Sequence, residues 1–119
     1  MGRLVVVQAR PGLAGWATEV LAGEGVETIR ADDGLDALRL VATCDPDVVL
    51  VDLTLPPLDG WFVLAALGSD RARRRAELVV RVADHRQAER ALLLGADAWA
   101  ADDAQVVGAA GRLLTAIAA

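Results

Sequence analysis

The sequence predicts a three-layer α/β domain in which helices cover both faces of a five-stranded parallel sheet. Three observations carry that expectation. Short runs rich in β-branched residues alternate five times with stretches of helical apolar periodicity, the pattern of repeated βα units rather than of a sandwich. The run at residues 4–7 (Leu-Val-Val-Val) is continuously apolar, as a strand buried on both faces should be, and residues 48–51 (Val-Val-Leu-Val) repeat it. A length of 119 residues with 55% hydrophobic side chains suits one core covered on both sides, so a single domain over 1–119 is expected.

The elements follow in order. After the strand at 4–7, Pro11 opens a helix whose Leu13, Trp16, Ala17, Val20 and Leu21 recur at the i, i+3, i+4, i+7, i+8 spacing of one face. Gly23 and Gly25 close it, and residues 26–31 form a second strand. Asp33 can cap a second helix carrying Leu35, Leu38, Val41 and Ala42, which Asp45-Pro46 halts before the third strand. That strand ends on Asp52, residues 60–67 form a short third helix, and residues 78–82 form the fourth strand. Asp84 is placed to cap a fourth helix outlined by Ala88, Ala91 and Leu92 and ended at Gly95. Residues 98–101 make a weak fifth strand, and Asp103 is expected to cap a last helix with Val106, Val107, Ala110, Leu113, Leu114 and Ile117 on its apolar face. Five such units in this length point to the flavodoxin-like doubly wound sheet, strand order 2-1-3-4-5, with right-handed crossovers.

Composition narrows the function classes. A net charge of −5 repels nucleic-acid phosphates on average, and the one basic cluster, Arg71, Arg73, Arg74 and Arg75, reads as a solvated connection. No apolar stretch approaches the ~18 residues of a membrane span and no secretory signal is visible, so a cytoplasmic location is expected. The single cysteine, Cys44, has no metal-ligand neighbours at suitable spacing and reads as a core residue at a helix end. The chain contains no lysine, which excludes a Walker loop, and no complete Gly-x-Gly-x-x-Gly follows a strand. The lone histidine, His85, has no adjacent nucleophile and reads as a solvated side chain, so no enzymatic activity is expected.

In an open α/β sheet, ligands bind at the carboxyl ends of the strands, where residues 8–10, 52–54, 82–84 and 101–103 should converge around Asp52. Asp52 opens the run Asp52-Leu53-Thr54-Leu55-Pro56-Pro57-Leu58-Asp59-Gly60. Asp52, Leu55, Pro56, Asp59 and Gly60 stand at the spacing of Asp-x-x-Met-Pro-x-x-Asp-Gly, with Leu for Met, and the chain on this basis resembles a bacterial response-regulator receiver domain. The likeness extends to residues 4–7, to Gly25-Val26, to Asp33-Gly34 and to Gly95-Ala96-Asp97, nearly the whole chain. It implies a part in two-component or phosphorelay signalling, Asp52 as the acceptor of a phosphoryl group from a kinase phosphohistidine, and Thr54, Pro56 and Gly60 as its acceptor loop.

The same resemblance exposes what is missing. A carboxylate attacking a phosphoryl group brings two anions together, and the charge on the equatorial oxygens must be neutralised. Receivers hold Mg²⁺ with an acidic pair after the first strand, the acceptor aspartate and a backbone carbonyl, while a Lys and a Ser/Thr contact the phosphoryl oxygens. Here the acidic pair's positions read Gln8-Ala9, and no Asp or Glu precedes Glu19. The lysine position reads Asp102, and no Ser or Thr occurs between Asp70 and Thr115, so the hydroxyl position holds Val82 or its neighbours Val80 and Arg81. Small, hard Mg²⁺ wants several oxygen ligands in octahedral array, so its binding is expected to be weak or lost. Losing one preorganised oxyanion donor typically removes ~2.7–4 kcal/mol of transition-state stabilisation, and several are gone.

The resulting expectation is an atypical or pseudo-receiver that acts by protein–protein interaction, with a histidine kinase or an output protein as partner. A homodimer through the fourth helix, fifth strand and last helix is a further expectation, with Leu93, Leu94 and Trp99 contributing an apolar patch. Trp99 occupies the place of the family's swinging aromatic and is expected to pack on the fourth helix; Trp16 and Trp61 fit helix positions against the sheet or a loop. Alternatives remain open at this point. Arg10 and Arg81 could supply the missing cations so that Asp52 is phosphorylated, or either could pair with Asp52 as an electrostatic lock. A flavodoxin-like sensor could instead bind a small ligand in the space left by Mg²⁺, since Ala9 and Val82 are smaller or less polar than the family's residues.

Overall fold

Every predicted βα unit is present. The computed structural model describes residues 2–7, 11–54, 59–69 and 75–118. In chain order these form β1 (Arg3–Val7), α1 (Pro11–Ala22), β2 (Glu27–Ala31), α2 (Gly34–Cys44), β3 (Val48–Asp52), α3 (Asp59–Ser69), β4 (Glu77–Arg81), α4 (His85–Leu93), β5 (Ala98–Ala100) and α5 (Asp103–Ala118). All strand pairs are parallel and the order is β2-β1-β3-β4-β5. Element bounds differ from those expected by one or two residues, at the frayed ends of the elements.

The side-chain period of two divides the strands between two cores. Val5, Val7, Val49, Val51, Leu78 and Val80 point to one face, where Ala37, Val63, Leu64, Ala88 and Ala91 of α2, α3 and α4 cover them. Leu4, Val6, Val48, Leu50 and Val79 point to the other, against Leu13, Ala17 and Leu21 of α1 and Val106, Val107 and Leu114 of α5. Leu4, Val7, Val48 and Val51 are fully buried, as the continuous apolar runs of β1 and β3 require. Each such side chain contributes about 1.5–3 kcal/mol of burial free energy, so the central strands hold the site rigidly in place.

Several apolar positions turn outward instead. Among the described side chains of α1, Leu13, Ala17 and Leu21 reach the core, an i, i+4, i+8 row, while Trp16 is 39% and Val20 46% exposed. Leu35 of α2 is 75% exposed, because Gly34 and Ala37 occupy the buried side of that first turn. Leu92 is exposed, and Leu93 is 88% exposed on α4. The last helix buries Val106, Val107, Ala110 and Leu114 as expected, with Leu113 partly buried; the side chain of Ile117 lies outside the described residues.

The starts of α2, α4 and α5 are set by aspartates. Asp33 Oδ1 accepts from Asp36 N at 2.8 Å, and Asp84 Oδ1 accepts from Gln87 N at 2.9 Å while Gln87 Oε1 accepts from Ala83 N at 2.8 Å. The cap of α5 corrects the sequence expectation: it is Asp102, not Asp103, whose Oδ1 accepts from Gln105 N at 2.8 Å and whose carbonyl accepts from Val106 N at 3.1 Å. Asp103 thereby falls in the first turn, where a negative charge complements the helix dipole. At the far end of the molecule α3 meets the turn after α4 backbone to backbone. A Cβ on Gly68 would lie 1.8 Å from the Leu94 carbonyl oxygen, and the facing Gly95 has φ +110°, a conformation that favours glycine. Among the described residues no helix is long and apolar enough to cross a membrane.

Candidate functional site

Asp52 ends β3 fully buried, the only charged residue that is so among those described. The chain turns immediately after it. Thr54 N donates to Asp52 Oδ1 at 2.9 Å and Thr54 Oγ1 donates to the same oxygen at 2.5 Å, so the carboxylate is held by the turn that follows it. Leu53 N donates to the Arg81 carbonyl at 2.9 Å, carrying the β3–β4 ladder one residue past the strand. Gly60, in the first turn of α3, is buried against the same strand end. A Cβ there would stand 3.1 Å from the Asp52 carbonyl oxygen and 3.1 Å from Val51 Cγ1, which gives the glycine of the motif a packing reason.

Arg81 is the register partner of Asp52 on β4, yet its side chain goes elsewhere. Its Nε lies 3.1 Å from Asp103 Oδ1 and its Nη1 donates to the Val82 carbonyl at 3.0 Å. Arg81 therefore does not form with Asp52 the electrostatic lock that the sequence left open. Strand alternation sends Arg81 to the α5 side of the sheet, where the first-turn aspartate of α5 meets it. Val82 has no exposed surface and packs in the core beneath α4, while its N–H donates to the Ala100 carbonyl at 3.0 Å. Asp102 is exposed and caps α5.

The structure thus brings together Asp52, Thr54 and Gly60, with Arg81 of the adjoining strand paired to Asp103 of α5. Gln8, Ala9, Arg10 and Pro56, like Arg71, Arg73 and Arg74, lie outside the described residues. Arg75 is exposed and paired with Asp45 at 3.2 Å, a surface contact. Trp99 packs as expected on α4: its ring meets His85, the first residue of that helix, edge to face at 5.3 Å. His85 is exposed but not merely solvated, since it makes this contact. Trp61 is partly buried against the core, with the Arg90 guanidinium 6.0 Å from its ring centre. Two grooves of about 370 and 330 Å³ run along α5, one bordered by Trp99 and Gln105, the other by Val20 and Thr115, with Gly108 and Arg112 common to both.

The donor set does not fit a hard dication. Three carboxylates near the strand ends, Asp33, Asp84 and Asp102, are occupied as helix caps, and Asp103 faces Arg81. Among the described residues no group of three or more His, Cys, Asp or Glu could hold a metal ion, and the sequence supplies no acid before Glu19 to complete one around Asp52. The Arg81–Asp103 pair was the feature sequence reasoning missed. Its signal was the tandem Asp102-Asp103, where one residue caps and the next is left to find a cation.

Comparison with known proteins agrees with the fold and the motif. Residues 4–100 match the family model described as the response regulator receiver domain. The DNA-binding response regulator MtrA of Mycolicibacterium smegmatis is 44% identical over 68 residues, which is 57% of this chain and 30% of that protein. The chain therefore spans less than a third of that relative's length. Among solved structures, the receiver domain of a response regulator from Bermanella marisrubri superposes with a TM-score of 0.79 at 24% identity, covering 93% of this chain and 96% of the other. The response regulator TrrA from Thermotoga maritima, solved in complex with Mg²⁺ and beryllofluoride, gives a TM-score of 0.74 at 23% identity, covering 96% and 100%. At these identities the structural likeness shows the fold.

Proposed function

The chain belongs to the response-regulator receiver family, and from that premise we propose that it works as an atypical receiver: a cytoplasmic signalling module that docks on other proteins with little or no Mg²⁺-dependent phosphorylation of Asp52. The observation that carries this is the fate of the position where the family's lysine belongs. Asp102 stands there, its carboxylate caps α5, and the chain has no lysine to replace it. A negative charge in place of a positive one disfavours an approaching phosphoryl dianion, and the carboxylate meant to attack already accepts two hydrogen bonds from Thr54. Val82 supplies no hydroxyl, and the guanidinium of Arg81 is engaged by Asp103.

Partners on this account are a histidine kinase or an output protein, with no reaction of the chain's own. A homodimer through α4, β5 and α5 belongs to the same proposal, with the exposed Leu92 and Leu93 at its edge. Incubation with a small phosphodonor and excess Mg²⁺, followed by intact mass measurement, tests the central point. An unchanged mass is expected, against a gain of one phosphoryl group if Asp52 is a working acceptor.

A further inference from the structure

Arg81 ties the end of β4, the neighbour of the acceptor strand, to the start of α5. Its backbone carbonyl accepts from Leu53 N, just past Asp52, while its guanidinium reaches Asp103 Oδ1 at 3.1 Å and the Val82 carbonyl at 3.0 Å. Both partners of the ion pair are largely withdrawn from water, at 17% and 28% side-chain exposure, so solvent screens this contact less than an ordinary surface pair. The α5 turn it grips is the one that Asp102 caps, and α5 in turn packs on β4 and β5 beside Trp99.

We infer that the Arg81–Asp103 pair is a built-in clasp that fixes the first turn of α5 against the end of β4, so that the β5–α5 surface is held in one arrangement without a phosphoryl group on Asp52. This rests on the phosphate-independent role proposed above. Arg81 is a positioning residue in this scheme: it touches no reacting atom and acts through Asp103. The partner of Arg81 sits at a helix N-terminus, where a negative charge is favoured.

Amide hydrogen exchange of the full chain tests it, comparing the unaltered protein with Arg81→Met, Arg81→Lys, Asp103→Asn and the double variant Arg81→Met/Asp103→Asn. Protection of the Gln105, Val106 and Val107 amides should fall about tenfold or more in the Met and Asn variants, the scale of one lost charged hydrogen bond, and fall no further in the double variant. Arg81→Lys should recover part of it, and amides of β1 should change little in any variant that folds. Single variants within twofold of the unaltered protein, or a double variant showing the product of two independent losses, would overturn the clasp. Addition of phosphodonor and Mg²⁺ to the unaltered protein separates the two ideas. A mass gain with unchanged α5 exchange would refute the phosphate-independent role and uphold the clasp, whereas tightening of α5 on phosphorylation would overturn the clasp itself.

Discussion

Replacing Gly68 by alanine should destabilise the protein through a single backbone collision, although alanine is the better helix former. A Cβ at this position would lie 1.8 Å from the Leu94 carbonyl oxygen and 2.9 Å from the Leu94 carbonyl carbon, whereas ordinary van der Waals contact starts at 3.4 Å. The turn after α4 or the end of α3 must therefore shift by roughly 1.5 Å, and neither obstructing atom belongs to a side chain that could rotate away. Overpacking of this kind costs about 3 kcal/mol at the upper end of its usual range, offset by about 1 kcal/mol of helix propensity, a net loss of about 2 kcal/mol. With an unfolding entropy of about 2.1 cal/mol/K per residue over the chain, the melting temperature should fall by about 8 °C. Gly15→Ala is the matched control. It lies inside α1 with nothing within 4 Å of its would-be Cβ, so it should raise stability by about 0.5–1 kcal/mol. Thermal and urea unfolding of the two variants side by side decide the matter. Gly68→Ala as stable as Gly15→Ala would refute the close approach of α3 to the turn that leads into β5.

Three further outcomes are expected. Asp102→Ala should lose about 1 kcal/mol of stability in urea titration through the missing cap of α5, and an unchanged midpoint would return the cap to Asp103. Thr54→Val should lower stability by about 1.5–3 kcal/mol, the size of a hydrogen bond to a buried charged acceptor, read by the same titration. Asp36 has its pKa held below the ordinary 3.8, first by the Asp32 backbone N–H and then by Arg39, so its contribution to stability is present above about pH 4 and is lost as pH falls through the lowered value; Asp36→Asn should flatten the acid limb of the stability profile in that range and leave the neutral region's slope unchanged.

How far the sequence reaches is visible residue by residue. The continuous apolar runs at 4–7 and 48–51 announce strands buried on both sides, and aspartates ahead of helical periodicity announce the caps at Asp33 and Asp84, because both signals are local. The acceptor motif is equally local, and its glycine proves to be the residue that lets α3 sit on the end of β3. Tertiary choices are less legible. Apolar periodicity in α1 offers Leu13, Trp16, Ala17, Val20 and Leu21 alike, but the sheet covers only the arc of Leu13, Ala17 and Leu21. Alternation places Arg81 on the α5 face without saying which anion waits there, and choosing between Asp52 and Asp103 needs the helix start located to within one residue. The meeting of Gly68 and Gly95 leaves no periodic trace at all, since the pattern of a glycine inside a helix is the same whether it faces backbone or open space.

In the role proposed above, this receiver keeps the strand-end carboxylate without the means to phosphorylate it. A crystal of the protein grown with Mg²⁺ and beryllofluoride, the combination present in the similarly folded TrrA structure, decides this. The expected result is an unmodified Asp52 carboxylate, still accepting from Thr54, with no ordered metal beside it. A phosphoryl mimic attached to Asp52 and an octahedral Mg²⁺ next to it would refute the phosphate-independent role.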